Sequence, residues 1–110
     1  ISPVLPPQSL ILTLEYPSAT IERLGRGWRI LPVDGLSQDA AERLINQWLT
    51  LSGKIHITTS DEAGFRVVVW LAGEENPKRF WVQPESGLVT DILAQKTWQL
   101  SQAQIEQISE

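Results

Sequence analysis

The stretch Ser37-Gln-Asp-Ala-Ala-Glu-Arg-Leu-Ile-Asn-Gln-Trp-Leu-Thr-Leu-Ser-Gly53 decides the architecture. Its apolar positions repeat with helical spacing, whereas almost everything around it alternates with strand spacing. Placed on a wheel at about 100° per residue, residues 36–52 split cleanly. Ala41, Leu44, Ile45, Trp48, Leu49 and Leu51 share one face, and Asp39, Glu42, Arg43, Asn46, Gln47 and Thr50 share the other. Ser37 is a good N-cap, and Asp39 and Glu42 oppose the helix dipole in the first turns. Gly53 is expected at the C′ position that ends the helix. A helix with one apolar stripe needs a surface to lie on, and the flanking sequence predicts a sheet.

Before the helix, Leu10, Leu12 and Leu14 alternate with Ile11, Thr13 and Glu15, as in a half-buried strand. Residues 19–24 and 28–31 read as two further strands across a Gly25-Arg26-Gly27 reversal, and Pro32 ends the second. After the helix, strands are expected over 54–58, 65–72, 79–83 and 88–93, with loops at 59–64 and 73–77 and a turn at 84–87. The segment Val67–Leu71 is apolar on both faces, as in a central strand covered on both sides. Leu100 to Ile105 combines capping-box spacing (Ser101, Gln104) with staple spacing (Leu100, Ile105) and predicts a short terminal helix, fraying from Gln107. The order β-β-β-α-β-β-β-β-α defines an α+β fold: an antiparallel sheet with one main amphipathic helix on one face.

A length of 110 residues fits one domain, taken as residues 10–110. Apolar residues at 42% and charged residues at 20% are ordinary for a globular chain, and no apolar run reaches the roughly 18 residues of a spanning helix. The segment before residue 10 carries three prolines in Ile1–Pro7 and reads as a linker or N-terminal extension, over residues 1–9. The chain contains no methionine and begins at Ile1. The expectation is a removed N-terminal signal, anchor or tag, through which alone the domain would touch a membrane.

Several chemistries are excluded by composition. There is no cysteine and only one histidine, so disulfides, thiolate sites and multi-histidine metal sites fall away. The net charge is −4, with the acidic excess confined to residues 61–110, so nucleic-acid binding lacks its basic footprint. His56 sits beside Lys54 with no local acid to orient it as a base. The pairs Asp61-Glu62 and Glu74-Glu75 lack calcium-loop spacing and read as solvated loop charges. Ser37, Ser60, Ser86 and Ser101 are explained by turns and caps, and no nucleophile elbow is present. No catalytic, metal-binding or cofactor-binding residue is therefore expected. An enzyme would need a deep cleft gathering two of Asp61, Glu62, Glu74, Glu75 and Asp91.

Five tryptophans are many for this length. Trp48 falls on the buried helix face. Trp70 and Trp81 lie on neighbouring strands and can share one sheet face, where they would form a partner-binding patch. The competing expectation is a second buried layer made by the C-terminal helix and Trp98. Arg23, Arg26 and Arg29 crowd one hairpin, as edge protection or as a recognition patch.

The stretch Ala19-Thr-Ile-Glu-Arg-Leu-Gly-Arg-Gly-Trp-Arg-Ile-Leu-Pro32, followed by Ala40-Ala-Glu-Arg-Leu-Ile-Asn-Gln-Trp-Leu49, resembles an uncharacterised family of membrane-anchored bacterial proteins associated with gliding-motility-type ABC transporters. The likeness covers about residues 10–52: a strand, a Gly-Trp strand ending in proline, then a helix. That family runs longer, with repeated units, of which one is evident here. The resemblance implies an extracytoplasmic accessory domain, periplasmic or membrane-anchored, with no catalytic residues carried over.

The resulting expectation is a non-enzymatic binding or assembly domain of a membrane-tethered envelope protein. It would meet a protein partner through Trp70 and Trp81 or by pairing at a sheet edge. The alternative is a small-molecule or glycan-binding module using exposed tryptophans.

Overall fold

Ser37 caps the central helix as its sequence predicts: its Oγ accepts the Ala40 N–H at 3.1 Å, and α1 runs over Gln38–Thr50. The computed structural model describes residues 1–57 and 61–109. Thr58, Thr59 and Ser60, expected as a strand end and loop, lie outside the described residues, as does Glu110. Before α1 come β1 (Ser2–Pro3), β2 (Ile11–Glu15), β3 (Thr20–Leu24) and β4 (Gly27–Leu31). After it come β5 (Ser52–His56), β6 (Phe65–Leu71), β7 (Lys78–Gln83), β8 (Leu88–Asp91), β9 (Lys96–Gln99) and α2 (Gln102–Ile108).

The fold is α+β, and the expected order of strands and helices holds. Two strands extend the expected set. The short β1 lies in the proline-rich start, and β9 follows β8 through a turn in which the Gln95 N–H donates to the Asp91 carbonyl at 2.8 Å. All the strands form one antiparallel sheet in the order β1-β5-β9-β8-β7-β6-β2-β3-β4. Helix α1 therefore carries the chain from one sheet edge, β4, to the strands at the other.

Both helices lie on the same face. Ile105 and Ile108 of α2 join Ala41, Ile45 and Trp48 of α1 in one core with Leu14, Ile21, Val67, Val69, Phe80 and Val82 from the sheet. The Trp48 and Phe80 rings tilt against each other at 5.3 Å between centroids. The Trp48 indole N–H donates to the Tyr16 hydroxyl at 2.9 Å, and that hydroxyl donates to the Ile108 carbonyl at 2.6 Å. Trp98 faces this same core, because it stands opposite Val89 in register, which in turn stands opposite Val82. The expected second layer of Trp98 and the C-terminal helix is thus not formed. The terminal helix goes where the deepest apolar surface is, beside α1, and the other sheet face has no helical cover. Ile108 is fully buried and still helical, so α2 is held past the point where its polar sequence suggests fraying.

Three local expectations shift. The helix ends at Leu51 in extended conformation, and Gly53 is a strand residue of β5 rather than a C′ glycine. A Cβ there would run into the Gln99 carbonyl of β9, so glycine is demanded by a close backbone approach instead of by a helix stop. Leu49 is partly exposed, since the buried stripe narrows to Ala41, Ile45 and Trp48. The start of the chain is docked: Ser2–Pro3 pair with β5, the Val4 N–H donates to the Leu51 carbonyl at 3.0 Å, and Val4 and Leu5 are buried.

Candidate binding face

The sheet face opposite the helices can be read rung by rung from the pairing register. One rung runs Arg66–Trp81–Thr90–Thr97–His56 across β6, β7, β8, β9 and β5. Another runs Trp70–Thr13–Glu22–Arg29 across β6, β2, β3 and β4. Trp70 and Trp81 therefore share the face but not a rung. Trp81 stands opposite Arg66, four residues along β6 from Trp70, which is roughly 13 Å of strand. Val68 and Arg79 form the rung between them.

The two tryptophans sit in different surroundings. Around Trp81 the face is covered. A Cβ on Gly64 would come within 2.9 Å of the Trp81 ring, so the backbone at Gly64 lies directly against the indole. The Gln83 amide donates to the Glu62 carbonyl at 3.0 Å, and Gln83, Leu88 and Thr97 are buried on this side. The residues leading into β6, Glu62 and Gly64 among them, thus cover part of the β7 side of this face. The Thr90 and Thr97 hydroxyls share a hydrogen bond at 2.9 Å on the same face.

Around Trp70 the face is open. Trp70 is 37% exposed, and its indole N–H donates to the Glu15 carboxylate on the neighbouring strand. That bond fixes the ring orientation, so the apolar surface is presented rather than floppy. Leu12 (38%) and Leu10 (47%) flank the pairing irregularity between Ile11 and Thr13. An extra residue in one strand breaks the in-out alternation, which leaves Leu12 at the surface although the sequence reads it as inward. Farther out, Leu31 and Leu24 are exposed and Arg29 pairs with Glu22 at 3.6 Å.

The edge strand next to this surface is closed by a side chain. The Gln38 amide at the start of α1 accepts from the Trp28 N–H at 3.0 Å and donates to the Trp28 carbonyl at 2.6 Å. It imitates a neighbouring strand at the middle of β4, and Pro32 follows directly. The Trp28 ring is itself held. Its N–H donates to Glu42 at 2.6 Å, and the Arg23 guanidinium lies 4.4 Å above its centroid. Arg23 also donates to the Ile11 carbonyl, so this hairpin arginine is structural. At the opposite edge, β1 pairs with Ser52 and Gly53, and the exposed Ile55 of β5 and Ile57 just past its end lie beyond that pairing.

One cleft of about 500 Å³ gathers Glu74, Glu75 and Asp91 beside Lys78. Two of its three carboxylates have structural partners: Asp91 accepts the Ala94 N–H at 3.1 Å in the β8–β9 turn, and Glu74 lies 3.9 Å from Lys78. His56 occupies the covered half of the open sheet face, opposite Thr97. Asp61 and Glu62 lie on the chain leading into β6, outside that cleft.

No protein-family model, curated protein or solved structure matches this chain. The residues that sequence reasoning passed over are Leu12, Glu15 and Gln38. Glu15 has a sequence signal, an acid ending an apolar strand, but its partner Trp70 lies far along the chain. The bulge at Leu12 and the reach of Gln38 to β4 have none.

Proposed function

We propose that this chain is a non-enzymatic binding or assembly domain that engages a protein partner through the open half of its sheet. The observation that carries the reading is the Trp70 surface. An indole held by Glu15 and bordered by Leu10 and Leu12 lies on a sheet face without helical cover. Tryptophan on a rigid strand anchors a partner at little conformational cost, and the surrounding Glu22–Arg29 pair suits a polar rim. Trp81, with Gly64 against its ring on the same face, offers a partner less area. Work at the bacterial cell envelope, as part of a membrane-tethered protein, is supported by the resemblance over residues 10–52.

The test is site-specific photocrosslinking in the native host. A crosslinker at Leu12 should yield a discrete adduct that is lost when Trp70→Glu is added in a protein that still folds. A crosslinker at Gln47, on the helix side, should yield none. Equal adducts at both positions, or an adduct indifferent to Trp70→Glu, would overturn the reading.

A further inference from the structure

On the helix side, opposite the Trp70 surface, the core is not fully closed. A cleft of about 270 Å³ opens between the β2–β3 turn, the loop before α1 and the outer flank of α1. Its walls are Tyr16, Ala19, Ile21, Leu36 and Leu44, with the hydroxyl-bearing Ser18 and Ser109 completing the lining. Ile21 and Tyr16 belong to the buried core, so the floor is rigid, while Leu36 and Leu44 pack only partly. An adjoining lobe shares Leu36, Leu44 and Ser109 and adds Ala40, Arg43, Gln47 and Gln107. Arg43 is exposed, and among the described residues it forms no ion pair, although Asp39 stands one turn before it on the same helix.

We propose that this cleft binds a single medium-length alkyl chain bearing a carboxylate, with the chain against Ile21, Leu36 and Leu44 and the head group on Arg43. The walls are apolar and concave, which favours an aliphatic body over a sugar or nucleotide. Its volume sits near the low end for small-molecule sites, which admits one chain rather than a two-chain lipid. Arg43 lines the adjoining lobe, where its guanidinium matches a carboxylate in a bidentate fork that an uncharged head cannot form. The site lies on the face opposite Trp70, so it is independent of the protein-partner reading.

The probe is octanoate, titrated against the full chain and followed by methyl NMR, with octanol and acetate as comparisons. Octanoate should shift the Ile21, Leu36 and Leu44 methyls saturably, acetate should not, and octanol should bind more weakly. Arg43→Gln, at an exposed position, should weaken octanoate about threefold to fivefold, the range of one solvent-facing ion pair, and leave octanol unchanged. Ala40→Glu, which sets a like charge beside the head group, should weaken octanoate in the same direction and guards against an effect peculiar to one variant. Shifts that do not saturate, octanol binding as tightly as octanoate, or an octanoate affinity indifferent to both variants would each overturn the proposal.

Discussion

The hydroxyl of Tyr16 accepts a hydrogen bond from the Trp48 indole N–H at 2.9 Å and donates one to the Ile108 carbonyl at 2.6 Å. One phenol thereby links the end of β2 to both helices, in a buried place where each partner would otherwise lack a bond. It also explains why the C-terminal helix stays on the α1 side of the sheet.

Tyr16→Phe keeps the ring and removes this link, stranding a buried indole donor. Loss of about 2 kcal/mol of unfolding free energy is expected, the cost of an unsatisfied buried group added to a lost bond. Urea denaturation would show it, and Trp48→Phe alone should cost less at the hydrogen bond because no donor is left behind.

Gln38→Leu should matter more for solubility than for stability. Removing the amide uncovers the Trp28 N–H and C=O on β4, and an uncovered edge invites strand addition. A loss of about 1 kcal/mol is expected, with concentration-dependent association in sedimentation velocity that the parent chain does not show.

Gly53→Ala and Gly73→Ala separate two uses of glycine. At Gly53 the new Cβ meets the Gln99 carbonyl, a backbone atom that can yield only by opening β5 from β9, so about 2 kcal/mol or more is expected. At Gly73, with φ of +82° and open space around it, the cost is the left-handed backbone alone, about 1 kcal/mol. Paired thermal melts of the two variants should rank them in that order.

Acrylamide quenching should distinguish the two outward tryptophans. Trp70→Phe is expected to remove most of the quencher-accessible fluorescence, and Trp81→Phe to remove little, because Gly64 lies over Trp81. The reverse order would mean that the covered and open halves of the face are exchanged.

The helix was legible because Ala41, Ile45 and Trp48 obey a local period and Ser37 is a local cap. The strands 11–15, 20–24 and 27–31 were legible for the same kind of reason, since alternation and the Gly25 turn act within a few residues. Strand β9 was not, because Lys96–Gln99 has no alternation strong enough to stand out from a loop; its place is set by pairing with β8 and β5. The prolines at 3, 6 and 7 masked Val4 and Leu5, which are held by the Val4–Leu51 hydrogen bond at the end of α1 and join the core that includes Trp98. For the candidate face, Trp70 and Trp81 could be assigned to one side by parity. Their separation and unequal cover depend on the register of β6 with β7 and on where Glu62 and Gly64 lie against β7, neither of which alternation within one strand reveals.

Seven of the strands form two meanders joined along one line, with β5 and β1 added beyond β9. Strands β2, β3 and β4 pair in sequence, as do β6, β7, β8 and β9, and only β2 against β6 brings the two runs together within the sheet. Each run can assemble from neighbours along the chain, whereas the β2–β6 line must wait for a long loop to close. That seam is therefore expected to close late, as is the pairing of β5 with β9, and the Glu15–Trp70 bond fastens one meander to the other across it. A partner that grips the Trp70 surface would straddle the seam and clamp the two meanders together.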